Sequence, residues 1–261
     1  MRLTGSPTVA AAALALGLVA APLPAKAQLL DYDAMSSEER AAFGNAVRAY
    51  LMDNPEVIAE VIERLQETRE ADERARDSAA VSQYLGALYD TEYAYVGGNP
   101  DGDVTIVEFL DYRCGFCKRA HPEVITALEE DPDIRLIVKE FPILGPDSVV
   151  AGRMAMAANR IDPELYATLN DELMSFQGDL TETMAYRIAG VVGYDIADLK
   201  ALAGSEEIEA QIERNYMLAE ALGIRGTPTF IVGTEIVRGA VAANELLAMA
   251  ARQREEHAAA N

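Results

Sequence analysis

The feature that most constrains this chain is a pair of cysteines, Cys114 and Cys117, placed where a strand pattern gives way to a helix pattern. Residues 104–111 (VTIVEFLD) are rich in β-branched and aromatic side chains and read as a strand. Residues 115–130 read as a helix, and residues 134–141 (IRLIVKEF) as a second strand. The order β–α–β implies two parallel strands joined by a helical crossover. The chain has 2 cysteines in total. A bridge between positions 114 and 117 would close almost no loop and stabilise little, whereas a structural framework spreads its cysteines along the chain. The pair is therefore expected to do chemistry.

Two kinds of chemistry suit it. A C-x-x-C pair is at most half of a tetrahedral zinc site, which needs about four ligands. The remaining soft candidates are His121 and His257. Structural zinc is therefore not expected, and His121 reads more simply as a surface or capping histidine beside Pro122. Thiol–disulfide exchange asks for less. Cys114 falls at a strand-to-helix junction, in the positive field and among the free amides of a helix N-terminus, which favours its thiolate. Cys117, one turn further on, is placed to resolve a mixed disulfide. Gly115 leaves the backbone open to a partner, and Phe116 stands beside it between the two sulfurs.

The rest of the pattern is assigned by periodicity and punctuation. Residues 36–52 and 55–69 read as helices with apolar stripes, Phe43, Val47, Tyr50 and Leu51 in the first and Val57, Ile58, Val61, Ile62 and Leu65 in the second. Asn54-Pro55 separates them, and a charged stretch, 66–77, follows as a solvated helix or helical linker. Glycines and acids at 97–103 read as a turn that opens the main domain. Helices are expected at about 148–160, 163–175, 182–192, 196–203 and 206–222. Strands 229–232 and 235–241 form a hairpin around Gly233-Thr234, and a last helix covers about 243–256. The fold class is thus α/β, a mixed sheet with flanking helices, a helical insertion and an N-terminal helical extension. The domain limits are 28–97 for a helical oligomerisation region with its linker and 98–261 for the main domain, with the insertion at about 147–222.

Residues 1–27 carry Arg2, an apolar run of 13 residues at 9–21, Pro22 and Pro24, and an A-x-A pattern at 25–27. The run is shorter than the roughly 18 residues of a membrane span, so the segment reads as a cleaved signal peptide. An exported protein with no membrane span after cleavage is expected. A net charge of -21 argues against nucleic acid as a partner.

The segment Val107-Glu108-Phe109-Leu110-Asp111-Tyr112-Arg113-Cys114-Gly115-Phe116-Cys117-Lys118 resembles the active site of the DsbA-like proteins of the thioredoxin superfamily. The stretch Gly223-Ile224-Arg225-Gly226-Thr227-Pro228-Thr229-Phe230 resembles that superfamily's cis-proline loop. The resemblance implies a thioredoxin-like fold and a periplasmic thiol–disulfide oxidoreductase, an isomerase or oxidase, that needs no cofactor beyond its redox-active cysteines. It implies that Cys114 and Cys117 are catalytic, with Glu108 as the buried acid that moves the proton of the resolving thiol. Apart from the resemblance, Lys139 in the next strand is expected as a charge partner for Glu108. Thr227 and a cis Pro228 would bind an extended substrate beside Gly115 and Phe116. The partners would be unfolded or misoxidised exported proteins and a membrane redox protein. Residues 49–58 (AYLMDNPEVI) are similar to the N-terminal region of ScsC-like members, associated with suppression of copper sensitivity. That similarity implies a homo-oligomer, a trimer by analogy. It also supplies an alternative function, the holding of Cu(I) by the reduced dithiol.

Overall fold

The computed structural model describes residues 32–260; the expected signal peptide at 1–27 lies outside the described residues. Backbone contacts divide the chain into two units, which meet between Glu63 and Arg64.

The first unit holds α1 (Ser37–Asp53) and the opening of α2 (Glu56–Leu88). Ser36 caps α1 in a capping box: its hydroxyl accepts from the amide of Glu39, whose carboxylate returns a bond to the Ser36 amide. Asn54 takes the C-cap, and Pro55 follows it before α2 begins. Phe43, Val47, Tyr50, Met52, Ile58, Val61 and Ile62 are all exposed. The sequence splits the region after α1 into a helix and a charged stretch, but α2 runs unbroken through 66–77 for 33 residues. Its polar residues are good helix formers, with no proline and one glycine, Gly86, near its end.

The second unit is built on a five-stranded sheet. Its strands are β1 (Tyr95–Gly98), β2 (Val104–Leu110), β3 (Ile134–Glu140), β4 (Thr229–Val232) and β5 (Glu235–Arg238), in the spatial order β1-β3-β2-β4-β5. The pair β2/β3 is parallel, joined by α3 (Gly115–Glu130), and the other pairs are antiparallel. β2 is central and buried at all seven positions, as a strand covered on both faces must be. Side-chain alternation sends Ile106 and Leu110 to one face, under α3 and α9 (Ala243–Ala260). Val107 and Phe109 go to the other, against Val81 and Leu88 of α2 and Leu218 and Leu222 at the end of α8.

Between β3 and β4 lies the helical insertion: α4 (Pro146–Ile161), α5 (Pro163–Ser175), α6 (Glu182–Val192), α7 (Ile196–Ala203) and α8 (Glu206–Ala221). Capping explains the boundaries. Asp162 accepts from the amides of Glu164 and Leu165 with Pro163 at the first turn, Ser205 caps α8, and Gly223 at φ 65° turns the chain out of α8. Without tryptophan, the core relies on small and flexible residues. α4 buries Ala151, Met154, Ala155, Ala157 and Ala158 together.

Two expectations are corrected here. The main domain does not open at 98: Tyr95–Gly98 is a strand, paired antiparallel with β3, and its glycines had hidden it within the turn pattern. Val81 and Leu88 are fully buried in the same unit, so the boundary expected at 97/98 falls inside packed structure. Lys139 is not the partner of Glu108. The parallel register sets Glu108 beside Val138 and Phe109 beside Lys139, so the two charged side chains leave opposite faces of the sheet. Lys139 Nζ donates to the carbonyls of Ala87 and Asp90, a buried cation closing the C-terminal end of α2.

Candidate active site

β2 delivers the chain to the cysteines through a turn held by Asp111. Its Oδ1 accepts from the amide of Arg113 at 2.8 Å and the hydroxyl of Ser148 at 2.9 Å. Its Oδ2 accepts from the amides of Ile143 at 2.9 Å and Leu144 at 3.0 Å. One buried carboxylate thus fastens the β2–α3 loop to the β3–α4 loop.

Cys114 is the N-cap of α3, and its side chain does not cap the helix, which leaves the sulfur free. Both cysteines are present as free thiols. Cys114 Sγ donates to the carbonyl of Thr227 at 3.1 Å, so the cysteine loop and the proline loop meet at the sulfur. The Thr227–Pro228 peptide bond is cis. The expected residues therefore gather from positions more than a hundred apart in the chain. The Cys114 thiol is pulled down to about 5, first by the hydrogen bond from the Cys117 thiol, then by the Thr227 side chain and the amides of Cys117 and Phe116; partial burial opposes them. Cys117 is fully buried. Burial pushes its thiol well above the usual range, its bond to Cys114 adds to that, and the charge of Glu108 raises it further. One sulfur is thus a ready nucleophile and the other a guarded proton donor.

Phe116 is 57% exposed, and the Arg119 guanidinium lies 4.2 Å from its ring centroid. A side chain at Gly115 would meet nothing nearer than the Arg119 guanidinium at 3.9 Å, so the fold leaves that position open rather than requiring glycine. Phe116, Thr227, Pro228 and Gly239 line a groove of about 540 Å³ together with Arg225 and Arg238. Arg238 is held by a two-pronged bond to Asp77 of α2, at 2.9 and 3.1 Å.

Glu108 is 3% exposed, on the sheet face that carries the α3 core, and burial raises its carboxyl to about 8. His121 is engaged by Asp171 of α5 at 2.8 Å. Among the described residues no group of three or more His, Cys, Asp and Glu side chains is arranged to hold a metal ion. A copper site would rest on the two sulfurs without His121. The sequence reading missed Asp111 and a buried cluster of Tyr112, Glu140 and Tyr166. The signal for Glu140 was an acid at the end of a strand buried at six of its seven positions.

A family model described as thioredoxin matches residues 90–250. The chain belongs to that family. A second model, described as the copper resistance protein ScsC N-terminal domain, matches residues 39–72. Among solved structures, a thioredoxin-like oxidoreductase from Silicibacter pomeroyi DSS-3 is 40% identical over 65% of this chain and 96% of its own, with a TM-score of 0.62. ScsC of Proteus mirabilis in a transitional conformation is 26% identical over 85% of this chain and all of its own, TM-score 0.63. The thiol-disulfide exchange protein alpha-DsbA2 of Wolbachia pipientis is 28% identical over 69% of this chain and 96% of its own, TM-score 0.65. This thioredoxin-family chain is thus similar in sequence and fold to a thioredoxin-like oxidoreductase and to a thiol-disulfide exchange protein. It also matches curated Na(+)/H(+) antiporters, such as NhaA 1 of Salinispora arenicola at 27% identity, but spans only 25% of that protein's length. Among the described residues no helix is long and apolar enough to cross a membrane.

Proposed function

We propose that this protein is exported to the periplasm and acts there on exported proteins as a disulfide isomerase or oxidase through Cys114 and Cys117. The observation that carries this reading is the meeting of Cys114 Sγ with the Thr227 carbonyl at the mouth of a groove, with Cys117 buried behind it. At pH 7 a thiol with a pKa of about 5 is about 99% thiolate. The Cys114 thiolate attacks a substrate disulfide. That bond breaks, one substrate sulfur leaves as thiolate, and a Cys114–substrate disulfide forms. In isomerisation the freed thiolate attacks another substrate disulfide and later returns to release Cys114. Alternatively Cys117 gives its proton to Glu108 and attacks Cys114, which frees the reduced substrate and forms the Cys114–Cys117 disulfide. Oxidation of a substrate dithiol runs this last route backwards, and a membrane redox partner then resets the pair. The cysteine pair is itself the redox couple, so no cofactor is required.

The groove beside Thr227 and Pro228 accepts an extended segment, with Gly115 open and Phe116 offering an apolar contact. The exposed apolar side chains of α1 and early α2 bury against further copies of the chain, giving an oligomer suited to isomerisation. Two variants test the exchange reading. Cys114→Ala is expected to abolish exchange with a scrambled substrate, and Cys117→Ala to accumulate a mixed disulfide on Cys114. Undiminished turnover by Cys114→Ala would overturn it.

A further inference from the structure

The exchange reaction leaves one buried acid unused. Glu140 ends β3 and is 4% exposed. The register that sets Glu108 beside Val138 sets Leu110 beside Glu140, so Glu108 and Glu140 leave the same face of neighbouring strands. Strand spacing and rise put their backbones about 8 Å apart. Glu140 Oε1 accepts from the hydroxyls of Tyr112 at 2.9 Å and Tyr166 at 3.0 Å, and those hydroxyls lie 2.8 Å from each other. Glu140 Oε2 is buried and no donor reaches it. On that side α4 presents Gly152, where an added side-chain carbon would come within 3.6 Å of the oxygen. An ionised carboxyl would leave charge on this orphaned oxygen, whereas a protonated one is neutral and costs less to bury there. Both acids are raised to about 8, Glu108 by burial and Glu140 by burial against the pull of its two tyrosines. The charges of Asp111 and Glu108 add to the rise at Glu140. Tyr95 of β1, stacked on Tyr166 at 4.4 Å, completes the titratable groups around the cluster.

We propose that Glu108 and Glu140 form one coupled acid pair that gives up only one of its two protons readily, so that the charge on Glu140 governs when Glu108 is free to take the proton of Cys117. This rests on the exchange reading above. In the resolving step the Cys114–substrate bond breaks, the Cys114–Cys117 bond forms, and the substrate sulfur leaves with the electron pair. The Cys117 proton goes to ionised Glu108, and Glu140 acts through its charge state alone. It is a positioning residue. Two carboxylates at this spacing in a protein interior resist double ionisation by about one to two pH units.

The test is a titration of the full chain carrying ¹³C-labelled glutamate, following both side-chain carboxyl signals in the reduced protein. In Glu108→Gln the Glu140 midpoint is expected to fall by about one unit or more. In Glu140→Gln the Glu108 curve should collapse to a single step, and the pH profile of the resolving rate should plateau about one unit earlier. Tyr166→Phe, which removes a donor but keeps the ring against Tyr95, should move the Glu140 midpoint up and gives a second route if Glu140→Gln folds poorly. A Glu140 midpoint unmoved in Glu108→Gln, or below pH 6 in the unaltered protein, would overturn the coupling. Failure of the exchange reading is distinct: the unaltered protein would then resolve no mixed disulfide at any pH, whatever the two acids do.

Discussion

The depressed thiol of Cys114 makes the stability of the reduced protein depend on pH in a way the oxidised protein cannot share. In the fold this thiol titrates at about 5, against an ordinary value of 9.0. Because the folded value is the lower one, the stabilisation is complete above pH 9 and is lost as the pH falls through 5. At pH 7 the group lies two units above its folded midpoint, worth about 2.7 kcal/mol at 1.36 kcal/mol per unit. The sulfur faces the substrate groove, and solvent screening there reduces the figure to about 2 kcal/mol. A Cys114–Cys117 disulfide has no proton to lose, while the buried acids titrate in both forms and largely cancel in the difference. Urea unfolding of the reduced and oxidised forms at pH 7 and pH 4 measures this, with a phosphine reductant that stays active in acid. The advantage of the reduced form should shrink by about 2 kcal/mol between the two pH values, on the order of 1 M in the gap between midpoints. A gap constant to within about 0.5 kcal/mol would refute the assignment of Cys114 as a stabilised thiolate.

Other outcomes follow from the same geometry. Glu108 has a folded value of about 8 above its ordinary 4.5, so its burial is harmless below pH 4.5 and increasingly costly as the pH rises. Glu108→Gln should therefore gain on the unaltered protein with rising pH, by about 3 kcal/mol at pH 7 in urea unfolding, while its resolving step slows. Asp111→Ala strands three amides and a hydroxyl at the junction of two loops and should cost about 4 kcal/mol, with slower exchange in the fraction that folds. A chain beginning at Arg64 should keep its circular dichroism and its exchange activity but lose any self-association in light scattering. One beginning at residue 91 should fail to fold, since it lacks Val81, Leu88 and the carbonyls that satisfy Lys139.

The strongest sequence signals were those in which one residue performs one local task. Asp162 before Pro163, Ser205 before two glutamates, and Gly223 after an amphipathic run each placed a helix boundary to within a residue or two. The cysteine pair and the Thr227–Pro228 loop were legible because a strand-to-helix junction and a family-like motif each mark a position. What brings them together, to a 3.1 Å approach of Cys114 Sγ to the Thr227 carbonyl, is the antiparallel pairing of β2 with β4. β1 was hidden because Gly97 and Gly98 resemble a turn, and pairing with β3 outweighs that local preference. The Lys139 pairing failed on register: neighbouring parallel strands put positions 108 and 139 on opposite faces, which no periodicity within one strand discloses. Glu140 and Asp111 were missed for a related reason, since their hydrogen-bond partners come from the β2–α3 loop, the β3–α4 loop and two helices of the insertion.

On the proposed function, Cys114 and Cys117 are a redox couple poised by a stabilised Cys114 thiolate. The most direct test is the equilibrium of the pair against glutathione, quenched by alkylation and read by mass. A thiolate stabilised this far favours the reduced form, so the potential should lie toward the oxidising end of the family, above about -200 mV. A value at or below about -270 mV, the range of thioredoxin, would contradict the account.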